Sequence, residues 1–268
     1  MFLKTRILMN YGKTRITVCK DVAELGVMAA SLVGKKLTEL LAKQKTVRAV
    51  FAAGESQESF LKALAKGYGI DWQRVECFNI DDFWDTRMTE QFTCGHQTTR
   101  QLYRQVKPMS VDLVQFNAPD PQAECDRYEA LLRARPIDIL CQGIGTSGHL
   151  ALNEPGETDF HDTRWVRLVN VAEQSKRQLQ VDPNFQALGY IPEKGITMTI
   201  PAILSATHCC TMVPFALKKP ILTRLAAVRQ AVKYLPASIL LEKEGVLFVD
   251  KDSCPEAWTS IGEKAARA

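Results

Sequence analysis

PIDILCQGIGTSGHLALNEPG, residues 136–156, is the stretch on which the reading of this chain turns. Its opening, PIDILCQG (136–143), is an apolar run bounded by Pro136 and Gly143, the pattern of a buried strand. A glycine-rich turn follows, carrying one of the chain's 4 histidines, and then Asn-Glu-Pro. A phosphate loop, a structural turn before a helix and the floor of an active site all fit this arrangement.

Outward from that strand, short β-rich runs alternate with amphipathic segments. DVAELGVMAASLVGKKLTELLA (21–42) repeats its apolar residues every three or four positions behind an acidic cap, which predicts a helix. TVRAVFAA (46–53) reads as a buried strand, and SQESFLKALAKG (56–67) as a helix opening at Ser56 and closing at Gly67. RVECFNI (74–80) and VDLVQF (111–116) read as strands, with a helix over DPQAECDRYEALLRA (120–134). Further on, ITMTIPAILSA (196–206) and HCCTMVPF (208–215) suggest a short helix feeding a strand. A helix from about 218 to 234 and a last strand, GVLFVD (245–250), complete the pattern. The expectation is an α/β fold: a three-layer, mostly parallel twisted sheet, modified Rossmann-like, with helices on both faces.

With 268 residues the chain is long enough to bury a sizeable core, and no segment looks like a linker, so residues 1–268 read as a single domain. Hydrophobic residues make up 46% and charged residues 24%, which excludes a disordered or fibrous chain. The net charge of +4 is scattered, so no basic arm for nucleic acid is expected, though local cations remain free to serve an anionic metabolite. MFLKTRILMN lacks the apolar run of a signal peptide, and no stretch reaches the length of a membrane span; the expected compartment is the cytoplasm. The 8 cysteines form no ligand pattern and read as reduced, buried thiols; no metal site is expected.

Ligands of open α/β sheets collect at the carboxyl ends of strands. Three polar clusters fall there. Gly54 and Ser56, in AAGES, stand between a strand and a helix start, where backbone N–H groups and the Ser56 hydroxyl suit a phosphate; an ordinary capped turn is the alternative. Asp81 and Asp82 follow an apolar strand, and a carboxylate so placed acts as a base if burial lifts its pKa; solvated loop acids are the alternative. In the third cluster, Gly143, Gly145 and Gly148 permit close backbone approach, and His149 is suited to proton exchange with Glu154 to orient it. His96, His161 and His208 carry less, reading as surface or packed residues, while Arg177 and Lys218 flank apolar elements and could neutralise a phosphate. No Walker or G-x-G-x-x-G loop follows the strand at 46–53, which disfavours a nucleotide cofactor.

GIGTSGHLALNEPG resembles the signature of the glucosamine-6-phosphate deaminase/isomerase family, and GHLALNEPGE is especially similar to its galactosamine-6-phosphate isomerase branch. The likeness runs through FNIDDF, AECDRYEALL, KGITMTIPAILSA and PASILL. It implies that Asp81 moves a proton between C2 and C1 of an opened amino sugar, that His149 opens the ring and that Glu154 supports it. Gly54, Ser56, Lys218 and Arg177 match phosphate contacts, with Asp82, Gly145 and Ser147 beside the sugar, and residues 156–185 resemble a lid. Where deaminases of the family usually carry aspartate, this chain has Ser147.

The resemblance therefore implies an amino-sugar-phosphate isomerase/deaminase without cofactor or metal, acting on galactosamine or glucosamine 6-phosphate. It also implies a homo-oligomer whose partner is a small molecule, with no nucleic acid or membrane. Two alternatives stand beside it: a 6-phosphogluconolactonase-like hydrolase, since GxGxxGH occurs there too, and a sugar-phosphate-binding protein whose catalysis is impaired by Ser147.

Overall fold

Strand pairing starts in a hairpin that the sequence reading does not contain. The computed structural model describes residues 7–181 and 183–258, opening with β1 (Ile7–Tyr11) antiparallel to β2 (Thr14–Cys19). There follow α1 (Val22–Leu41), β3 (Val47–Phe51), α2 (Glu55–Leu64), β4 (Val75–Asn79) and β5 (Asp81–Trp84). Next, α3 (Cys94–Thr98) passes through a π-helical stretch (Thr99–Tyr103) into α4 (Arg104–Val106), then β6 (Ser110–Asp112), α5 (Pro121–Arg133) and β7 (Ile139–Gln142). The last part comprises β8 (Val166–Asn170), α6 (Glu173–Gln180), α7 (Pro183–Leu188), β9 (Lys194–Met198), α8 (Ile200–Ser205), β10 (His208–Val213), α9 (Lys219–Ala227) and β11 (Gly245–Asp250).

Eight strands form the main sheet in the order β1-β2-β11-β10-β7-β3-β4-β6, parallel at every pairing except the N-terminal hairpin. The apolar core divides across its two faces. One half gathers Leu25, Val33, Leu37 and Phe60 from α1 and α2; the other gathers Leu132, Ile203 and Leu225 from α5, α8 and α9. This is the expected three-layer α/β sandwich. Cys209 and Cys210 belong to opposite halves, as neighbours on a strand must, so they cannot share a ligand.

Local chemistry sets the helix starts. Asp21 caps α1 by accepting from Glu24 N at 2.9 Å, and Asp120 caps α5 through the N–H groups of Gln122 and Ala123, with Pro121 in the first turn. Along α1, Leu25, Ala29, Val33 and Leu37 are buried at helical spacing. Burying each leucine contributes about 1.5–3 kcal/mol, so Leu37→Ala would open the α1 seam.

The expected helix at 218–234 stops at Ala227. Pro236 disfavours helical backbone at Leu235, and the Ser238 hydroxyl instead takes Val232 N at 2.7 Å, closing a turn. Residues 196–198, the start of the segment read as a short helix, belong to strand β9, and only Ile200–Ser205 are helical.

A second sheet, β5-β9-β8, is antiparallel. The chain passes into it at Ile80, whose N–H bonds Phe51 O in the main sheet while its carbonyl accepts from Met198 N. That single-residue transfer places Asp81 and Asp82 at the carboxyl end of β4. Strand order reverses between β3 and β7, and the loops that leave these strands carry Gly54 and the His149 motif. Among the described residues, no helix is long and apolar enough to cross a membrane.

Candidate active site

The first wall of the site is the β3–α2 turn. Gly54 takes φ 98°, a conformation open to glycine and strained for other residues, and α2 begins with no side-chain cap. The N–H groups of Glu55 and Ser56 are thus left to an external acceptor, with Ser56 half-buried and the Glu55 side chain exposed. Gln57 N closes onto Gly54 O, and Gly54 N donates to Gln97 Oε1 at 3.0 Å.

Lys218 completes this wall from the loop after β10. It is only 8% exposed, and its ammonium donates to Ile144 O at 2.8 Å. Burial depresses its pKa to about 8, opposed by the nearby Glu55 charge. Phe215, at φ 78°, turns the chain into this position, with its N–H bound to Asp250 Oδ2 at 3.1 Å. A desolvated cation next to unpaired N–H groups is an anion seat.

The two aspartates have different environments. Asp82 is 1% exposed, and its carboxylate accepts from Phe83 N (2.8 Å), Cys94 N (2.9 Å) and Gly95 N (2.8 Å). Burial pushes its pKa up to about 7 against these three donors. An acceptor-only set of this kind favours the ion, so Asp82 holds the negative charge of the pair. Its carboxylate is therefore committed to the start of α3, and the sugar contact expected of it is corrected to a supporting position.

Asp81, half-buried, makes no hydrogen bond through its carboxyl among the described residues. Burial, then the charge of Asp82, raise its pKa to about 7, and a protonated His149 acts in the opposite sense. This carboxyl is thus poised near neutrality and within electrostatic reach of the imidazole.

The third wall is the loop after β7. Gly148 N bonds Gly145 O at 2.9 Å, and Gly145 N bonds His149 O at 3.0 Å, closing a tight turn around Ser147. The imidazole lies flat against Gly145, where an added Cβ would stand 1.9 Å from Nε2. Its Nδ1 lies 2.8 Å from Glu154 Oε1 and 2.9 Å from Ser147 Oγ. The Ser147 hydroxyl donates to Glu154 Oε2 at 2.7 Å, and Ser175 donates to Oε1. Burial works to raise the Glu154 pKa, but the bonds from His149, Ser175 and Ser147 outweigh it, and the net shift is downward. An ionised Glu154 only accepts, so Nδ1 carries a proton toward it and Nε2 is the ring nitrogen left for proton exchange.

The structure thus brings Gly54, Ser56 and Lys218 to one wall and Gly145, Ser147, His149 and Glu154 to another, with Asp81 near the imidazole. Arg177 is not drawn in: it is exposed on α6 and makes no ion pair among the described residues. Instead, α6 meets the loop through Ser175 and through Gln178, whose Oε1 accepts from Thr146 at 3.0 Å. Ser175, Gln178 and Gln97 were missed in the sequence because no local pattern marks a single polar residue that closes a distant network. No group of three potential metal ligands occurs among the described residues.

Residues 20–249 match the family described as glucosamine-6-phosphate isomerases/6-phosphogluconolactonase. The chain belongs to that family. Over 201 residues it is 28% identical to a glucosamine-6-phosphate deaminase of Exiguobacterium sp., covering 74% of this chain and 77% of the relative. A solved monomeric glucosamine-6-phosphate deaminase shares the fold at TM-score 0.78 and 22% identity, over 89% of this chain and 98% of that one. The 6-phosphogluconolactonase of Thermotoga maritima also shares it, at TM-score 0.69 and 20% identity, over 88% and 99%. Family membership makes this chain an enzyme of the amino-sugar-phosphate isomerase/deaminase type.

Proposed function

We propose that the enzyme converts a hexosamine 6-phosphate, of the galacto or gluco series, into the ketohexose 6-phosphate and ammonia. The observation that carries this reading is the contrast between Asp81, whose carboxyl has no hydrogen-bond donor among the described residues, and Asp82, whose carboxylate accepts from three N–H groups. A hydrolase of a lactone needs one activated water and gives Asp81 no task. An isomerase needs a second, mobile proton carrier next to the imidazole.

In the reaction, the phosphate rests on the first turn of α2, Ser56 and Lys218. Nε2 of His149 takes the proton of the anomeric hydroxyl and delivers one to the ring oxygen as the C1–O5 bond breaks, which leaves the open aldehyde. Asp81 then removes the C2 proton, the C–H electron pair becomes the C1=C2 bond, and the aldehyde oxygen takes a proton from the substrate's ammonium group, which leaves the neutral enolamine. Asp81 returns its proton to C1, the enolamine becomes the C2 imine, water adds and ammonia departs. Water in and ammonia out balance the change, and the carbonyl next to C2 supplies the acidity.

Within residues 156–185, β8 is fixed in the second sheet, so the lid of this reading is α6, which buries none of its residues. Residue 182 lies outside the described residues. The same reading takes the enzyme as a cytoplasmic homo-oligomer, which light scattering of the purified chain tests. The activity itself is tested by ammonia release from galactosamine and glucosamine 6-phosphates and their N-acetyl forms. One free amine should give equal ammonia and ketose phosphate; silence from both sinks the reading.

A further inference from the structure

The helical unit made of α3, its π-helical stretch and α4 grips two strand ends at once. At its start, the N–H groups of Cys94 and Gly95 hold Asp82. Two residues on, Gln97 Oε1 accepts from Gly54 N in the turn that opens the anion seat. Next, Thr98 Oγ1 accepts from Asn79 Nδ2 at 3.2 Å, while Tyr103 donates its hydroxyl to Asn79 Oδ1 at 2.9 Å. Asn79 ends β4, immediately before the transfer that delivers Asp81.

The π-helical stretch explains how Thr98 and Tyr103 meet on one amide. In an α-helix, residues five apart point about 140° away from each other. An i→i+5 turn stacks them on one face. The unit thus spends an irregular turn on fixing the end of β4, and Gln97 is its one hydrogen bond to the anion seat among those described. Gly54 has no side chain and stands at φ 98°, with open space where a Cβ would be. Its conformation is held by two bonds, Gln57 N on its carbonyl from within the turn and Gln97 on its N–H from outside.

We infer that Gln97 is a positioning residue that couples phosphate occupancy of the β3–α2 turn to the carboxylate pair through α3. This rests on the reading of that turn as the phosphate seat. When the anion settles on the α2 N–H groups, the turn is held, the Gly54–Gln97 bond carries that restraint into α3, and the donors already set on Asp82 are fixed there. Phosphate at one end of the sugar thereby sets the base at the other.

The binding arm of the test uses the full chain and inorganic phosphate, so that arm does not depend on turnover. Gln97→Met keeps the volume and removes the acceptor. Calorimetric titration should show phosphate affinity reduced about tenfold, the factor expected for one lost hydrogen bond. The acid limb of the kcat profile should also move. Unchanged phosphate affinity would overturn the inference, and so would weakened affinity with an unmoved acid limb, which makes Gln97 local to the turn. Should the variant fail to fold, hydrogen exchange on the unaltered protein decides: phosphate should slow the Cys94 and Gly95 amides. Exchange indifferent to phosphate, or no phosphate binding at all, rejects the coupling. Absent ammonia release with phosphate binding intact would reject the proposed activity instead.

Discussion

The hydroxyl of Ser147 stands 2.7 Å from Oε2 of Glu154 and 2.9 Å from Nδ1 of His149. Ser147 is a neutral group that donates to Glu154 and accepts from His149. The imidazole is thus held by one anion and one dipole, a weaker pull on its proton than two anions would exert. Ser147→Ala should lower kcat about fivefold, the worth of one net hydrogen bond, and leave KM nearly unchanged. Steady-state kinetics checks it, and a rise in KM alone would argue that Ser147 touches the sugar.

Gly145 is defined by the ring that covers it. A methyl group there would overlap Nε2 of His149, so Gly145→Ala must displace the imidazole. Turnover should fall at least about a hundredfold, the usual worth of a placed acid-base group, with melting temperature altered much less. Thermal unfolding and kinetics on one preparation separate the two effects.

Lys218 predicts how anion binding responds to pH. Its pKa of about 8 in the free enzyme means that the ammonium is present below that value and lost above it. Phosphate affinity should therefore fall as pH rises through about 8, whereas Lys218→Met should bind weakly at all pH and lose this step. Calorimetry at several pH values measures it.

Asp81 carries a cost in stability with a definite sign. Its folded-state pKa, about 7, lies above the unfolded value of about 3.9, so the folded state holds the proton more tightly. The contribution is intact below the unfolded pKa and is lost as pH climbs through about 7. Asp81→Asn should therefore stabilise the protein more at pH 8 than at pH 5, read by urea unfolding at the two values. Equal effects at both pH values would mean that the carboxyl is not strained by burial.

The main sheet was legible because strands buried on both faces are largely apolar, as in VRAVF of β3, where Arg48 is the one charged residue, and because α1 and α5 announce their starts with Asp21 and Asp120. The hairpin β1–β2 was not: its edge residues Asn10, Arg15 and Lys13 interrupt the apolar pattern. Nor was β5, since DDFW follows β4 after one residue and reads as the loop behind that strand until β9 pairs with it. The acid and imidazole of the third cluster could be found in the sequence because they share a loop. Ser175 and Gln97 could not, since each acts on a residue 21 or 43 positions away.

The account depends most on Asp81 as the carrier of the C2 proton. Asp81→Asn, given the active hexosamine 6-phosphate in deuterated water, should release ammonia at least about a thousandfold more slowly and take up no deuterium at C1, while binding inorganic phosphate like the parent. A variant that keeps its rate and its deuterium uptake would contradict the account.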